Sequence, residues 1–459
     1  MSDYQVVNPS TGTVEKEYPT ATDAEVQEAL TRTHAAYAEW RTTDKDERSR
    51  VLRRVADLYD ERSDELAAII AREMGKPVRE GKGELQLVAS IYRYYADQGP
   101  GLLADTPLDP AMGGTALVRK EPIGPLLGIM PWNFPYYQVA RFAAPNLMIG
   151  NTILLKHAPQ CPESALAIER IFADAGLPAD AYINLFATNE QSADIIADPR
   201  VVGVSVTGSE RAGSAVAEVA GRNLKKVVLE LGGSDPFILL DADDLGAAVK
   251  SAVRGRMGNA GQACNGAKRM IVVDEMYDAF VEQFSAAMAA LTPGDPFDEA
   301  AGFGPLSSEG AANNLLEQLH DAVAKGAVVR TGGSRVDRPG AFVEATVLTD
   351  VTPDMRAYRE ELFGPAAVVY RVADAAEAVA LANDSAFGLG GVVWSADPDK
   401  AQQVADQLDT GMVWINSSQG SFADLPFGGT KRSGVGRELG PYGIDEFVNK
   451  KLIYTPAAR

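Results

Sequence analysis

Cysteine is nearly absent from this chain: Cys161 and Cys264 are the only two among 459 residues. A disulfide-built scaffold is thereby excluded, since such scaffolds are small and cysteine-dense; the pattern fits a reducing compartment, the cytoplasm. Histidine is equally scarce. His34, His157 and His320 lie far apart, and neither a CxxC nor an HExxH pattern occurs, so no metal site is expected. Basic residues are outnumbered, 43 Lys and Arg against 63 Asp and Glu, a net charge of −20. That balance argues against a nucleic-acid surface, which needs a basic patch to meet phosphates. The acids are scattered, as in "DERSDE" and "DADD". Two readings of them stand, adaptation to high salt or an ordinary acidic cytosolic enzyme. No run of about 18 apolar residues is present, so no membrane span is expected. The opening "MSDYQVVNPSTG" lacks the basic and apolar regions of a signal peptide. Internal repeats and low-complexity linkers are also missing.

A hydrophobic content of 46% over this length predicts a globular protein of two or three domains. In the N-terminal part, "DAEVQEALTRTHAAYAEWR" brings Val26, Leu30, His34 and Tyr37 near one face of a helix that Asp23 can cap. "DKDERSRVLRRVADLYDERSDELAAIIAREMG" reads as two more helices, ending at Gly75. From about residue 115 the pattern becomes strand, turn, helix. "GPLLGIMPW", "NTILLKHAP", "VGVSVTG" and "KKVVLELGG" are apolar strand runs with amphipathic helices between them. A second series begins with "DPFILLD" near residue 234 and continues through "KRMIVVD", "AAVVYRV", "GGVVWS" and "MVWIN". Such alternation predicts an α/β fold with parallel sheets covered on both faces, binding ligands beyond the carboxyl ends of the strands. The tail "EFVNKKLIYTPAAR" ends in a strand run and is expected to pair with a sheet edge of another subunit.

Three places hold candidate chemistry. Cys264 follows a helix and sits in the small-residue turn "GNAGQACNGAKR", where backbone N–H groups are left free and Lys268 and Arg269 favour a thiolate. A free cysteine is otherwise a buried small hydrophobe. Glu230 ends the apolar run "KKVVLEL"; buried there it would gain basicity and suit a general base, and turned to water it would be an ordinary strand terminus. In "MPWNFP", two prolines stiffen the loop around Asn133, whose amide suits a developing oxyanion or simply a turn.

Taken together and in order, "MPWNFP", "LLKHAP", "VTGSERAG", "LELGGSDP", "GQACNGAKR", "EELFGPA", "NDSAFGLG" and "PFGGTKRSGVGRELG" resemble the aldehyde dehydrogenase superfamily over essentially the whole chain, most closely its succinate-semialdehyde dehydrogenase group. The 34 residues from Glu230 to Cys264 fit as well. The resemblance implies a Rossmann-like cofactor domain (1–107 and 124–232), an α/β catalytic domain (233–430) and a small bridging β-element (108–123 and 446–459) through which homodimers or homotetramers form. It implies that Cys264 attacks the aldehyde, that Asn133 and the Cys264 N–H hold the alkoxide, and that Glu230 activates water to hydrolyse the thioester left after hydride departs.

For the cofactor it implies contacts from Lys156 and Trp132 on the adenosine side, from Gly208 and Ser209 at the pyrophosphate, and from Glu361 and Phe363 at the nicotinamide. NAD-preferring relatives carry a glutamate three places after the lysine. Pro159 stands there instead, which favours NADP, with NAD accepted. For the substrate it implies a carboxylate clamp at Arg141 and a second contact at Ser421. A further arginine found six residues before the cysteine in some relatives is Gly258 here, with Arg256 out of step. Glutarate semialdehyde, aliphatic or amino aldehydes therefore remain alternatives to succinate semialdehyde. A cofactor-free thioesterase and a catalytically silent binding protein are the competing function classes.

Overall fold

The computed structural model describes residues 4–457. Its first helices follow the sequence periodicity. Asp23–Trp40 is capped by Thr22, one residue earlier than expected: the Thr22 hydroxyl accepts from the Glu25 N–H, and the Glu25 carboxylate accepts from the Thr22 N–H at 2.7 Å. This reciprocal pair requires Thr at the cap and Glu three residues on. Lys45–Glu61 and Ser63–Met74 follow, the latter ending at Gly75 with φ 79°. The 25-residue helix Val78–Leu102 has little sequence signal, because Gly81, Gly83, Gly99 and Pro100 interrupt it. It forms because Leu85, Val88, Tyr92 and Tyr95 share one fully buried face.

A six-stranded sheet then assembles in the spatial order Gly434–Val435, Lys226–Glu230, Gly203–Thr207, Pro125–Met130, Thr152–His157, Tyr182–Asn184. Its pairings are parallel except at the first, where Gly434 faces Glu230 in antiparallel register. Every residue of Thr152–His157 is buried, as expected of a strand covered on both faces. A seven-stranded sheet has the order Val328–Thr331, Thr346–Thr349, Ala366–Val372, Ala267–Val273, Asp235–Leu239, Gly390–Trp394, Met412–Ile415. It is parallel but for its first, antiparallel pair. Each sheet has its own core, and the chain passes from one to the other between Glu230 and Asp235.

The tail strand Val448–Thr455 pairs antiparallel with Thr115–Pro122 of its own chain, from Val448 opposite Pro122 to Thr455 opposite Thr115. Thr106–Leu108 pairs on the opposite side of Thr115–Pro122, so the tail strand is an outer strand of this small sheet. Ala458 and Arg459 lie outside the described residues.

Candidate active site

Pro125–Met130 lies between Gly203–Thr207 on one side and Thr152–His157 on the other. The connections leaving these strands therefore part in opposite directions and open a crevice at the carboxyl ends. A cavity of about 280 Å³ occupies it, lined by Trp132, Asn133, Thr207, Ser209, Cys264 and Glu361 among others. A second cavity of about 310 Å³ is lined by Phe134, Tyr137, Arg254, Gln419, Ser421 and Phe427. Cys264 and Gln138 line both. The cysteine stands at the junction of two chambers, one at the sheet's switch point and one reaching it from elsewhere.

The helix Leu245–Met257 ends just before the cysteine turn. Asn259, Ala260 and Gly261 then take φ of 55°, 53° and 75°, a strained run that neighbouring groups must hold. Arg256, fully buried, donates to the carbonyls of Gly261 at 2.6 Å, Leu362 at 3.2 Å and Gly364. Its role is to tie the turn to the loop bearing Glu361 and Phe363. Lys268 donates to Ala263 O at 2.9 Å and Cys264 O at 2.7 Å, and pairs with Glu361 at 3.0 Å. The glycine pair of "LELGGSDP" is explained here. A Cβ at Gly233 would lie 2.4 Å from Cys264 O, and one at Gly232 2.6 Å from Glu361 Oε2. Burial pushes the Cys264 thiol up to about 11, against the opposing pull of Arg141 and Lys268.

Asn133 follows the central strand and is buried. Its Nδ2 donates to Gln262 O at 3.0 Å, two residues before the cysteine. Its own carbonyl accepts from Lys76 Nζ and Asn259 Nδ2, each at 2.8 Å. Lys76 also pairs with Glu84, both side chains fully enclosed. Glu84 Oε1 in turn accepts from Tyr136 N at 2.9 Å and Tyr137 N at 3.0 Å, satisfying donors left open at the start of the helix Pro135–Ile149. His157 Nε2 lies 3.0 Å from Pro135 O, while Nδ1 accepts from Ala158 N at 2.8 Å. Burial lowers its pKa to about 4, so the ring is neutral and serves as a tie between adjacent strand ends.

Glu230 is 2% exposed, and neither carboxylate oxygen has a hydrogen-bond donor. Burial raises its pKa well above the usual range; Arg141 pulls it down, and Glu438 pushes it further up. Arg141 is 0% exposed and ion-paired with Glu438. Its guanidinium donates to Thr207 Oγ1 at 3.2 Å and stacks on the Phe427 ring at 4.3 Å. Arg141 itself does not line the second chamber, whereas the Phe427 ring it packs on does. Ser421 does line that chamber.

Ser209 caps the helix Glu210–Arg222, its hydroxyl accepting from Ala212 N at 3.3 Å. Beside it, a Cβ at Gly208 would meet only Ala212 Cβ, at 4.0 Å, so the backbone is open to a bulky anion. Phe363 and Trp132 meet edge to face at 5.7 Å. Trp132 was expected on the adenosine side, but it shares the chamber of Cys264 and Glu361 because it immediately precedes Asn133. Lys156 lines a third cavity, of about 260 Å³, with Arg211, Ile129, Ile196, Val216 and Val219. Apolar walls with two cations suit an adenine carrying a phosphate, so the residues present fit a phosphorylated dinucleotide. Sequence reasoning passed over Lys76, Glu84, Arg211, Arg254, Gln419 and Glu438. "EMGKP" and "VGRELG" were the signals available for Lys76 and Glu438.

A sequence model of the aldehyde dehydrogenase family matches residues 1–453. A succinate-semialdehyde dehydrogenase [NADP(+)] of Deinococcus radiodurans is 58% identical over 98% of this chain and 94% of its own length. A succinate-semialdehyde dehydrogenase [NADP(+)] 1 of Mycobacterium tuberculosis is 46% identical over 98% of both chains. The solved structure of succinic semialdehyde dehydrogenase from Streptococcus pyogenes in complex with NADP+ superposes with a TM-score of 0.97, at 43% identity over 99% of this chain and 100% of that one. The two sheets meeting at a half-buried cysteine, the switch-point crevice and these likenesses agree: the chain has the aldehyde dehydrogenase fold and belongs to the aldehyde dehydrogenase family.

Proposed function

We propose that this protein oxidises succinate semialdehyde to succinate with NADP, and more weakly with NAD. The observation that carries the reading is Cys264 at the junction of two chambers, together with relatives of that activity at 58% and 46% identity. The Cys264 thiol gives its proton to water, and Sγ bonds to the aldehyde carbon as the carbonyl pair moves onto oxygen. Asn133 Nδ2 and the Cys264 N–H face the resulting alkoxide, each such donor being worth about 3 kcal/mol. When bound, NADP would supply the acceptor for the hydride of this carbon; as the carbonyl re-forms, a thioester is left on Cys264. Glu230, made more basic by burial, takes a proton from the water that adds to the thioester. The C–S bond then breaks, and succinate departs.

Ser209, Gly208 and the helix start behind them would hold the pyrophosphate. Lys156 and Arg211 would hold the 2′-phosphate, against which Pro159 sets no carboxylate. Glu361 would take the nicotinamide ribose, with Phe363 and Trp132 available to the ring. Glutarate semialdehyde is the nearest competitor, since a side chain at Gly258, on the wall of the substrate chamber, would meet nothing within 4 Å. Copies of the chain pair through the small three-stranded sheet into a homodimer or homotetramer, in the cytoplasm, where both free cysteines stay reduced. The test is growth of NADPH absorbance over a panel of aldehydes with NADP and NAD. Succinate semialdehyde with NADP should give the highest kcat/KM, and Cys264→Ser should abolish it. Undiminished oxidation by that variant would refute the mechanism.

A further inference from the structure

Lys268, second residue of the strand Ala267–Val273, carries its ammonium into the interior behind the cysteine turn and is 1% exposed. It lines neither chamber. A buried cation is costly unless its donors are met. The Ala263 carbonyl at 2.9 Å, the Cys264 carbonyl at 2.7 Å and the Glu361 carboxylate at 3.0 Å meet them, with Gly266 O further off at 3.4 Å.

Ala263 O and the Cys264 N–H belong to one planar peptide group, and in its trans form they point in opposite directions. An ammonium held on that oxygen fixes the peptide plane and turns the N–H away from Lys268. Ala263 O also accepts from the Gly266 N–H at 3.1 Å, so two donors, one of them fully charged, draw electron density onto it. That makes the N–H of the same peptide a stronger donor, and the low dielectric of the interior enhances the effect. Among the described residues the Cys264 N–H has no acceptor, although Gln262 N–H just before it donates to Asn259 O at 3.0 Å. An oriented, polarised and open donor thus stands on the nucleophile itself.

We propose that Lys268 is a positioning residue for the oxyanion site: by binding Ala263 O it orients and strengthens the Cys264 N–H that meets the alkoxide. This rests on the reading of Cys264 as nucleophile and deepens it. The competing role, attraction of the thiolate by the ammonium, would act on every reaction of the sulfur. Control of the N–H acts only on reactions that place charge on a carbonyl oxygen.

The experiment uses the full-length enzyme without cofactor and two reactions of Cys264 at one pH. In alkylation by iodoacetamide, Sγ displaces iodide and no oxyanion forms. In acylation by 4-nitrophenyl acetate, Sγ bonds to the carbonyl carbon, an oxyanion forms, and its collapse expels 4-nitrophenolate. The thiolate fraction cancels in the ratio of the two rates. Lys268→Met should lower the ratio of acylation to alkylation about tenfold, less than the 100-fold or more, roughly, that follows deletion of a whole oxyanion donor. Lys268→Gln, which keeps a neutral donor, should lower it about threefold. A ratio within about twofold of the wild type in Lys268→Met overturns the proposal, whether both rates fall together or neither does. If circular dichroism shows Lys268→Met to be unfolded, Lys268→Gln decides by the same ratio: a fall of about threefold supports the proposal, and an unchanged ratio overturns it. A wild type whose acetyl group is found by mass spectrometry on a residue other than Cys264 overturns the nucleophile reading itself, and this one with it.

Discussion

Glu230 and Arg141 show what single residues decide. The carboxyl of Glu230 lies in the interior without a donor, and the guanidinium of Arg141 is the largest influence holding its pKa down against burial. Arg141→Met should therefore raise the Glu230 pKa further and move the rising limb of the kcat–pH profile to higher pH, because the deprotonated form needed as base appears later. The same change strands Glu438, whose buried ion pair it breaks. Unfolding in urea should show a loss of about 3 kcal/mol. An unmoved pH limb with this loss of stability would mean that Arg141 is structural only. Cys264, Glu230 and Asn133 could be singled out as candidates because their types, order and spacing are unusual. The commitment of Arg141 to Glu438 was not, because 297 residues separate the two in sequence, and pattern carries no information about which charge neutralises which.

At the scale of elements, the helix Val78–Leu102 acts on the site without reaching the thiol. Its Glu84, with Lys76 just before it, braces the Asn133 carbonyl and the first turn of Pro135–Ile149. Lys76→Met leaves Glu84 buried without its cation and frees the Asn133 loop. We expect a loss of about 3 kcal/mol in stability and a kcat at least about tenfold lower, since a donor displaced by a fraction of an ångström no longer meets the alkoxide. Steady-state kinetics beside denaturant unfolding would check both. A kcat equal to the wild type's would show that the Asn133 loop is braced by Asn259 alone. Elements with clean periodicity, such as Thr152–His157 or Lys45–Glu61, could be read directly. Val78–Leu102 could not, because glycine and proline obscure a helix that tertiary packing of its tyrosines nevertheless stabilises.

For the molecule as a whole, a net charge of −20 means that folding gathers like charges. Many are locally paired, Arg93 with Asp57 and Asp60 for example, but exposed pairs contribute little. Screening should therefore help: raising NaCl from about 0.1 to about 1 M, which shortens the Debye length from about 10 to about 3 Å, should increase the melting temperature by several degrees. A fall on adding salt would show that surface pairs outweigh net repulsion and would end the salt-adapted reading of the acidic surface. No helix among the described residues is long and apolar enough to cross a membrane.

Local chemistry along the chain marked the regularly patterned strands and helices, the two α/β series, and the candidate thiol, carboxylate and amide, because periodicity, turn residues and motif order are properties of neighbours in sequence. The tertiary structure alone decided that the tail strand pairs with Thr115–Pro122 of its own chain and that Arg141 is ion-paired with Glu438. Those outcomes depend on which distant charges and edges come to lie together, and burial then fixes the cost of leaving any of them unpaired.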